Sequence, residues 1–146
     1  MEYPVLGIDL GTCFSCVYGY KNGRFVVIPC ERGGNTTPSV IQYRANGIVC
    51  GSGAKDTIRG NAENTIYDVK RFLGLPYDQC AGIIEHERYG FRCIRYDPTM
   101  VYEMKVGESM LFKTPEMVDA DFLGYLASRA EAYLGYQPEG VVITVP

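Results

Sequence analysis

A chain of 146 residues, 47% apolar and 21% charged, is long enough for one domain with a sizeable core and too apolar to be disordered. Its net charge of −3 and pI near 5.2 offer no electrostatic grip on nucleic acid or on an anionic membrane. No apolar run reaches membrane-spanning length, and Met1-Glu2-Tyr3-Pro4 lacks the basic region of a secretory signal, so the expected compartment is cytoplasmic.

The first informative stretch is Gly7-Ile8-Asp9-Leu10-Gly11-Thr12, where an apolar run ends in a tight turn. Gly11 allows the backbone to approach an anion, the N–H groups of the turn suit phosphate oxygens, and Asp9 can hold a metal-bound water. An Asp that merely caps a turn has the same local appearance. Residues 14–20 predict a second strand, Asn22-Gly23 a hairpin turn, and 25–28 a third strand. Cys13-Phe14-Ser15-Cys16 has C-x-x-C spacing. It falls on a strand rather than at a helix start, and the other cysteines (Cys30, Cys50, Cys80, Cys93) and His86 are isolated, so buried reduced thiols are expected.

Residues 31–37 form a polar, Gly-rich loop, and 38–43 with 48–50 predict a second hairpin around Asn46-Gly47. Gly51-Ser52-Gly53-Ala54-Lys55 lacks the spacing of a nucleotide loop and reads as a turn into a short helix over 54–59, with Ser52 as N-cap. A helix is predicted over 64–74, capped by Asn64 or Thr65, with Ile66, Val69 and Leu73 on one face and Gly74 past its end. On spacing alone Lys70 and Arg71 belong to its solvated side. Alternation over 91–96 and 100–106 predicts antiparallel strands, with turns at Asp97-Pro98 and Gly107-Glu108. A helix then starts at the Thr114 cap with Pro115 in first position. It buries Val118, Phe122, Leu126, Ala130 and Leu134 and ends at Gly135. The apolar run 141–145 predicts a strand buried on both faces.

Five motifs in this order carry a resemblance. They are Gly7-Ile8-Asp9-Leu10-Gly11-Thr12 with Ser15-Cys16-Val17, then Asn35-Thr36-Thr37-Pro38-Ser39, then Asn64-Thr65-Ile66-Tyr67-Asp68-Val69-Lys70-Arg71. Glu131-Ala132-Tyr133-Leu134-Gly135 and Val142-Ile143-Thr144-Val145-Pro146 complete the set. The chain resembles the N-terminal part of an Hsp70 chaperone, in register over its whole length and least so between about 76 and 113. Sugar kinases and actins share the first turn, but the segment around Lys70 points to Hsp70.

The resemblance implies an α/β fold of the actin-like ATPase (ribonuclease H-like) type, represented by lobe I. Residues 1–37 and 114–146 form an inner mixed-sheet subdomain and 38–113 a smaller outer α+β subdomain. It implies ATP or ADP with Mg²⁺, with Asp9 on the metal's water shell and Gly11, Thr12, Cys13 and Phe14 around the phosphates. Lys70 reaches the γ-phosphate and the attacking water, Arg71 lines the cleft, and Pro146 couples the nucleotide to the rest of the molecule. The family usually has threonine at Cys13 and commonly tyrosine at Phe14, so altered phosphate contacts are expected.

Because the sequence closes at Pro146, the second half of an Hsp70 active site is expected to lie outside it, leaving weak nucleotide affinity and no turnover by this polypeptide alone. A bare face on the last strand is expected to favour self-association. Two other functions fit: a non-catalytic module binding nucleotide exchange factors or other co-chaperones, and a small actin-like or sugar-kinase-like nucleotide binder.

Overall fold

The computed structural model describes residues 4–144, so the coupling role expected of Pro146 lies outside the described residues. The chain opens with β1 (Val5–Leu10), β2 (Phe14–Lys21) and β3 (Arg24–Val27), joined antiparallel. Asn22 and Gly23 both take positive φ, as the tight hairpin between β2 and β3 requires. In β1 the period of two buries Leu6, Ile8 and Leu10 and leaves Asp9 exposed at the strand's end.

A short strand, β4 (Thr37–Pro38), then pairs with the start of β2. β5 (Val40–Arg44) and β6 (Gly47–Cys50) make the second hairpin, followed by α1 (Ser52–Asp56). The N-cap position of α1 is Gly51 at φ 71°, and no side chain caps it; Ser52 is already inside the helix, which corrects the expected cap and the expected span of 54–59.

The helix expected over 64–74 does not form. Thr65–Tyr67 is a strand, β7, paired with Val40, Ile41 and Gln42 of β5. Asp68 turns left-handed at φ 56°, and Val69–Arg71 is a single 3₁₀ turn. β-branched Thr65 and Ile66 suit a pleated surface, and the buried Gln42 amide donates to the Thr65 hydroxyl at 2.8 Å, so pairing with β5 outweighs the local helix signals. Asn64 does not cap; its amide reaches the carbonyl of Lys105 at 2.7 Å. Gly74 does take positive φ, the one terminal signal that survives.

α2 (Tyr77–Glu87), not anticipated from the sequence, follows Pro76, and then β8 (Arg92–Tyr96), β9 (Thr99–Val106) and β10 (Ser109–Lys113) form a three-stranded meander. α3 (Pro115–Leu134) matches its expectation. Thr114 accepts from the Met117 N–H, Gly135 closes the helix at φ 82°, and all five apolar positions named in advance are buried. Thr114→Ala should lower stability by about 1 kcal/mol, read as a shifted urea midpoint at unchanged slope.

β11 (Gly140–Ile143) runs parallel to β1 at the sheet's edge. It is not buried on both faces: Val141, Val142 and Ile143 are exposed, because nothing among the described residues packs over them. The result is a five-stranded mixed sheet (β11-β1-β2-β3, with β4 on β2) and two three-stranded antiparallel sheets. α3 packs against β2, β5, β9, β10 and the 3₁₀ turn, so one continuous core joins all three sheets beneath the β1–β2 turn. No helix among the described residues is long and apolar enough to cross a membrane.

Candidate functional site

The β1–β2 turn is where backbone geometry is most constrained. A Cβ built on Gly11 falls on the carbonyl oxygen of Phe14, with that carbonyl's carbon 3.2 Å away, so only glycine fits. The turn is held from outside. The Ser39 hydroxyl donates to the Gly11 carbonyl at 2.8 Å and in turn accepts from the Ser15 hydroxyl at 2.8 Å, while the Ser39 N–H donates to Cys13 O. Ser39 belongs to the short link between β4 and β5, so the second hairpin clamps the first turn.

Five of the expected site residues meet. Asp9, Gly11, Thr12, Lys70 and Arg71 line one open cavity of about 460 Å³, together with Leu10 and Thr144. Asp9 reaches it because β1 ends there with that residue on the exposed face, and its carboxylate accepts from the Thr144 hydroxyl at 2.9 Å. Lys70 reaches it through the 3₁₀ turn: Val69 and Phe72, three apart, are buried, and the cations between them face the cavity. The Lys70 ammonium donates to the Leu10 carbonyl at 2.6 Å.

Arg71 is held differently. Its guanidinium makes a two-pronged ion pair with Glu87 at 2.6 and 2.7 Å and also donates to the Tyr89 hydroxyl at 2.8 Å. The hydrogen bond from Arg71 keeps Glu87 below the usual carboxylate range, and the Glu87 bond raises Arg71. Tyr89 in turn donates to Asp68 at 2.7 Å, which secures the left-handed residue that aims the 3₁₀ turn.

Cys13 and Phe14 do not line this cavity. They open onto a neighbouring apolar pocket of about 450 Å³ with Val40, Lys55, Ile58 and Tyr67, and Thr12 is shared between the two. All six cysteines are free thiols, but only Cys50 and Cys80 are buried, and Cys13 is exposed, which corrects the expectation of uniformly buried thiols. Burial pushes the Cys50 thiol up to about 12 and raises Cys80, so neither is a reactive thiolate at neutral pH.

Ser39, Thr144 and Asp119 were not singled out from the sequence. Asp119, on α3, lines a narrow cleft directly under the turn with Gly11, Thr12, Ser39 and Lys70. Among the described residues, no group of three His, Cys, Asp or Glu side chains is placed to hold a metal directly. Among the described residues that line the cavity Asp9 is the one carboxylate, a donor that could hold a divalent cation through water.

The family model described as Hsp70 protein matches residues 5–146. The chain is 34% identical over 145 residues to a Heat shock 70 kDa protein of Neurospora crassa, covering 98% of this chain and 22% of that protein. The same identity over 145 residues, and the same shares, relate it to a Heat shock 70 kDa protein of Trichophyton rubrum. A Heat shock cognate HSP70 protein of Trypanosoma brucei brucei is 34% identical over 143 residues, with 97% of this chain and 21% of that protein covered. The chain thus spans about a fifth of the length of these relatives, and with a family match along nearly all of its residues it belongs to the Hsp70 family.

Proposed function

We propose that this chain forms one wall of a Mg-nucleotide cleft, the lobe I contribution to an actin-like ATPase. The observation that carries the reading is the open cavity in which Asp9, the Gly11–Thr12 turn and Lys70 converge, at a glycine that has no room for a side chain. The backbone of the turn, Gly11 and Thr12 in the cavity with Cys13 and Phe14 continuing it, would hold the β- and γ-phosphates of ATP. Asp9, oriented by Thr144, holds the metal's water shell, and bound Mg²⁺ supplies charge neutralisation for the phosphates. Lys70 places a fixed cation beside the transferred group, where negative charge gathers in the transition state. Arg71 lines the same cleft from its clamp on Glu87.

The division into an inner part (1–37 and 114–146) and an outer part (38–113) draws support from the strand pairing. β1–β3 and β11 fall outside 38–113, and β5–β7 and β8–β10 fall inside it. Turnover also needs groups positioned on the far side of the nucleotide.

Calorimetric titration with Mg-ADP tests the reading. Saturable binding is expected in the unaltered protein, weakened at least about tenfold in Asp9→Ala, which removes the only carboxylate among the described residues that line the cavity. A folded protein that gives no heat at millimolar nucleotide overturns it. That result, with an exchange factor recovered on the protein regardless of nucleotide, would establish the non-catalytic interaction module instead.

A further inference from the structure

Behind the phosphate turn lies a carboxylate that the nucleotide reading does not use. Asp119 sits on the second turn of α3, under Gly11 and Thr12, in the narrow cleft it shares with Ser39 and Lys70. Its Oδ2 is fully buried and has no hydrogen-bond partner. A buried carboxylate oxygen without a donor is costly in its charged form. The Lys70 ammonium is the group that offsets that cost, from the cleft side, while its own hydrogen bond goes to Leu10 O.

We infer that Asp119 is a positioning residue for Lys70, and that its ionisation sets how much of the Lys70 charge is offered to phosphate. As a carboxylate it draws the ammonium back toward the turn's underside and cancels part of the field in the cleft. As a carboxylic acid it releases Lys70 to the anion. The coupling is reciprocal: phosphate that draws Lys70 outward removes the charge that tolerates the Asp119 anion, and so favours its protonation. This inference rests on the nucleotide reading for its ligand, but the Lys70–Asp119 coupling does not.

The electrostatic surroundings agree. Desolvation pushes the Asp119 carboxyl up to about 6, Lys70 pulls it down, and Glu116, one turn earlier on the same helix, pushes it up. From β9, Tyr102 is within electrostatic reach, and its own buried hydroxyl is also unpartnered. Several titratable groups of the other elements packed on α3 have other partners. Lys113 of β10 and Tyr43 of β5 engage Asp121, and on β2 Cys16 donates to Asn35 O and Lys21 to Tyr133 O.

Two measurements test the inference. The first is Mg-ADP affinity of the unaltered protein and of Asp119→Asn from about pH 5 to about pH 8. The titration of the nucleotide itself is common to both proteins and cancels in their ratio. Near the low end the two should bind alike; above about pH 6 the variant should bind about three- to tenfold more tightly, with the ratio bending near the Asp119 titration. Parallel profiles overturn the inference. The second is the Asp119 carboxyl titration followed by ¹³C NMR, without nucleotide, in the unaltered protein and in Lys70→Gln. Loss of the ammonium should move the Asp119 midpoint up, and an unmoved midpoint overturns the coupling. If no nucleotide binds at any pH the nucleotide reading falls, and the carboxyl titration by itself upholds or overturns the coupling.

Discussion

Gly11→Ala should abolish measurable Mg-nucleotide binding and destabilise the fold by about 1–3 kcal/mol. The new Cβ meets backbone, not a flexible side chain: it falls on the Phe14 carbonyl, so the turn from 11 to 14 must open. Opening moves two acceptors at once, because Leu10 O receives the Lys70 ammonium and Gly11 O receives the Ser39 hydroxyl. The same change therefore dislodges the N–H groups proposed to hold phosphate, the lysine and the clamp from the second hairpin. Gly124→Ala is the matched control. That glycine lies on the exposed side of α3 with nothing within 4 Å of an added Cβ, and alanine there should stabilise by up to about 1 kcal/mol. Urea unfolding and nucleotide titration of the two variants read the contrast. Retained binding in Gly11→Ala would mean that the turn is not the phosphate site.

Signals that act within a few residues were legible in the sequence. The α3 boundaries follow from Thr114, Pro115 and Gly135, its buried stripe from a four-residue spacing, and the first hairpin from Asn22-Gly23. Asp9 and Gly11 announced themselves for the same reason. Residues 64–74 show where such reading stops. A cap residue, three spaced apolar positions and a terminal glycine fit a helix as well as they fit a strand, a left-handed residue and a 3₁₀ turn. The choice was made by β5, more than twenty residues away in the chain. α2 was hidden because its fully buried face amounts to Cys80, too little to mark a helical period.

The site shows the same division. Lys70 meets Leu10 across 60 residues, Ser39 meets Gly11 across 28, and Thr144 meets Asp9 across 135. No spacing rule reports such contacts. Resemblance to the family pointed to Lys70, and only three-dimensional placement brought Ser39, Thr144 and Asp119 to the same turn.

Phe122→Ala is expected to cost about 3–5 kcal/mol of stability. Phe122 is 3% exposed on the inward stripe of α3, stacked on Tyr125 with ring centres 6.3 Å apart. It also lines the narrow cleft beneath Gly11, Thr12 and Lys70, so it is the floor on which the β1–β2 turn rests. The packed surroundings of α3, drawn from β2, β5, β9 and β10, cannot close on the lost ring without moving several elements, which places the cost toward the upper end. Met117, 52% exposed on the same helix, is the comparison: Met117→Ala should change stability by less than about 0.5 kcal/mol. Because the floor and the turn are one unit, Phe122→Ala should also weaken Mg-ADP binding at temperatures where the variant remains folded. Phe122→Leu, which keeps most of the buried volume, should recover most of both losses. Stability lost without any loss of affinity would show that the turn is held without the helix beneath it, and that this helix serves the core and not the site.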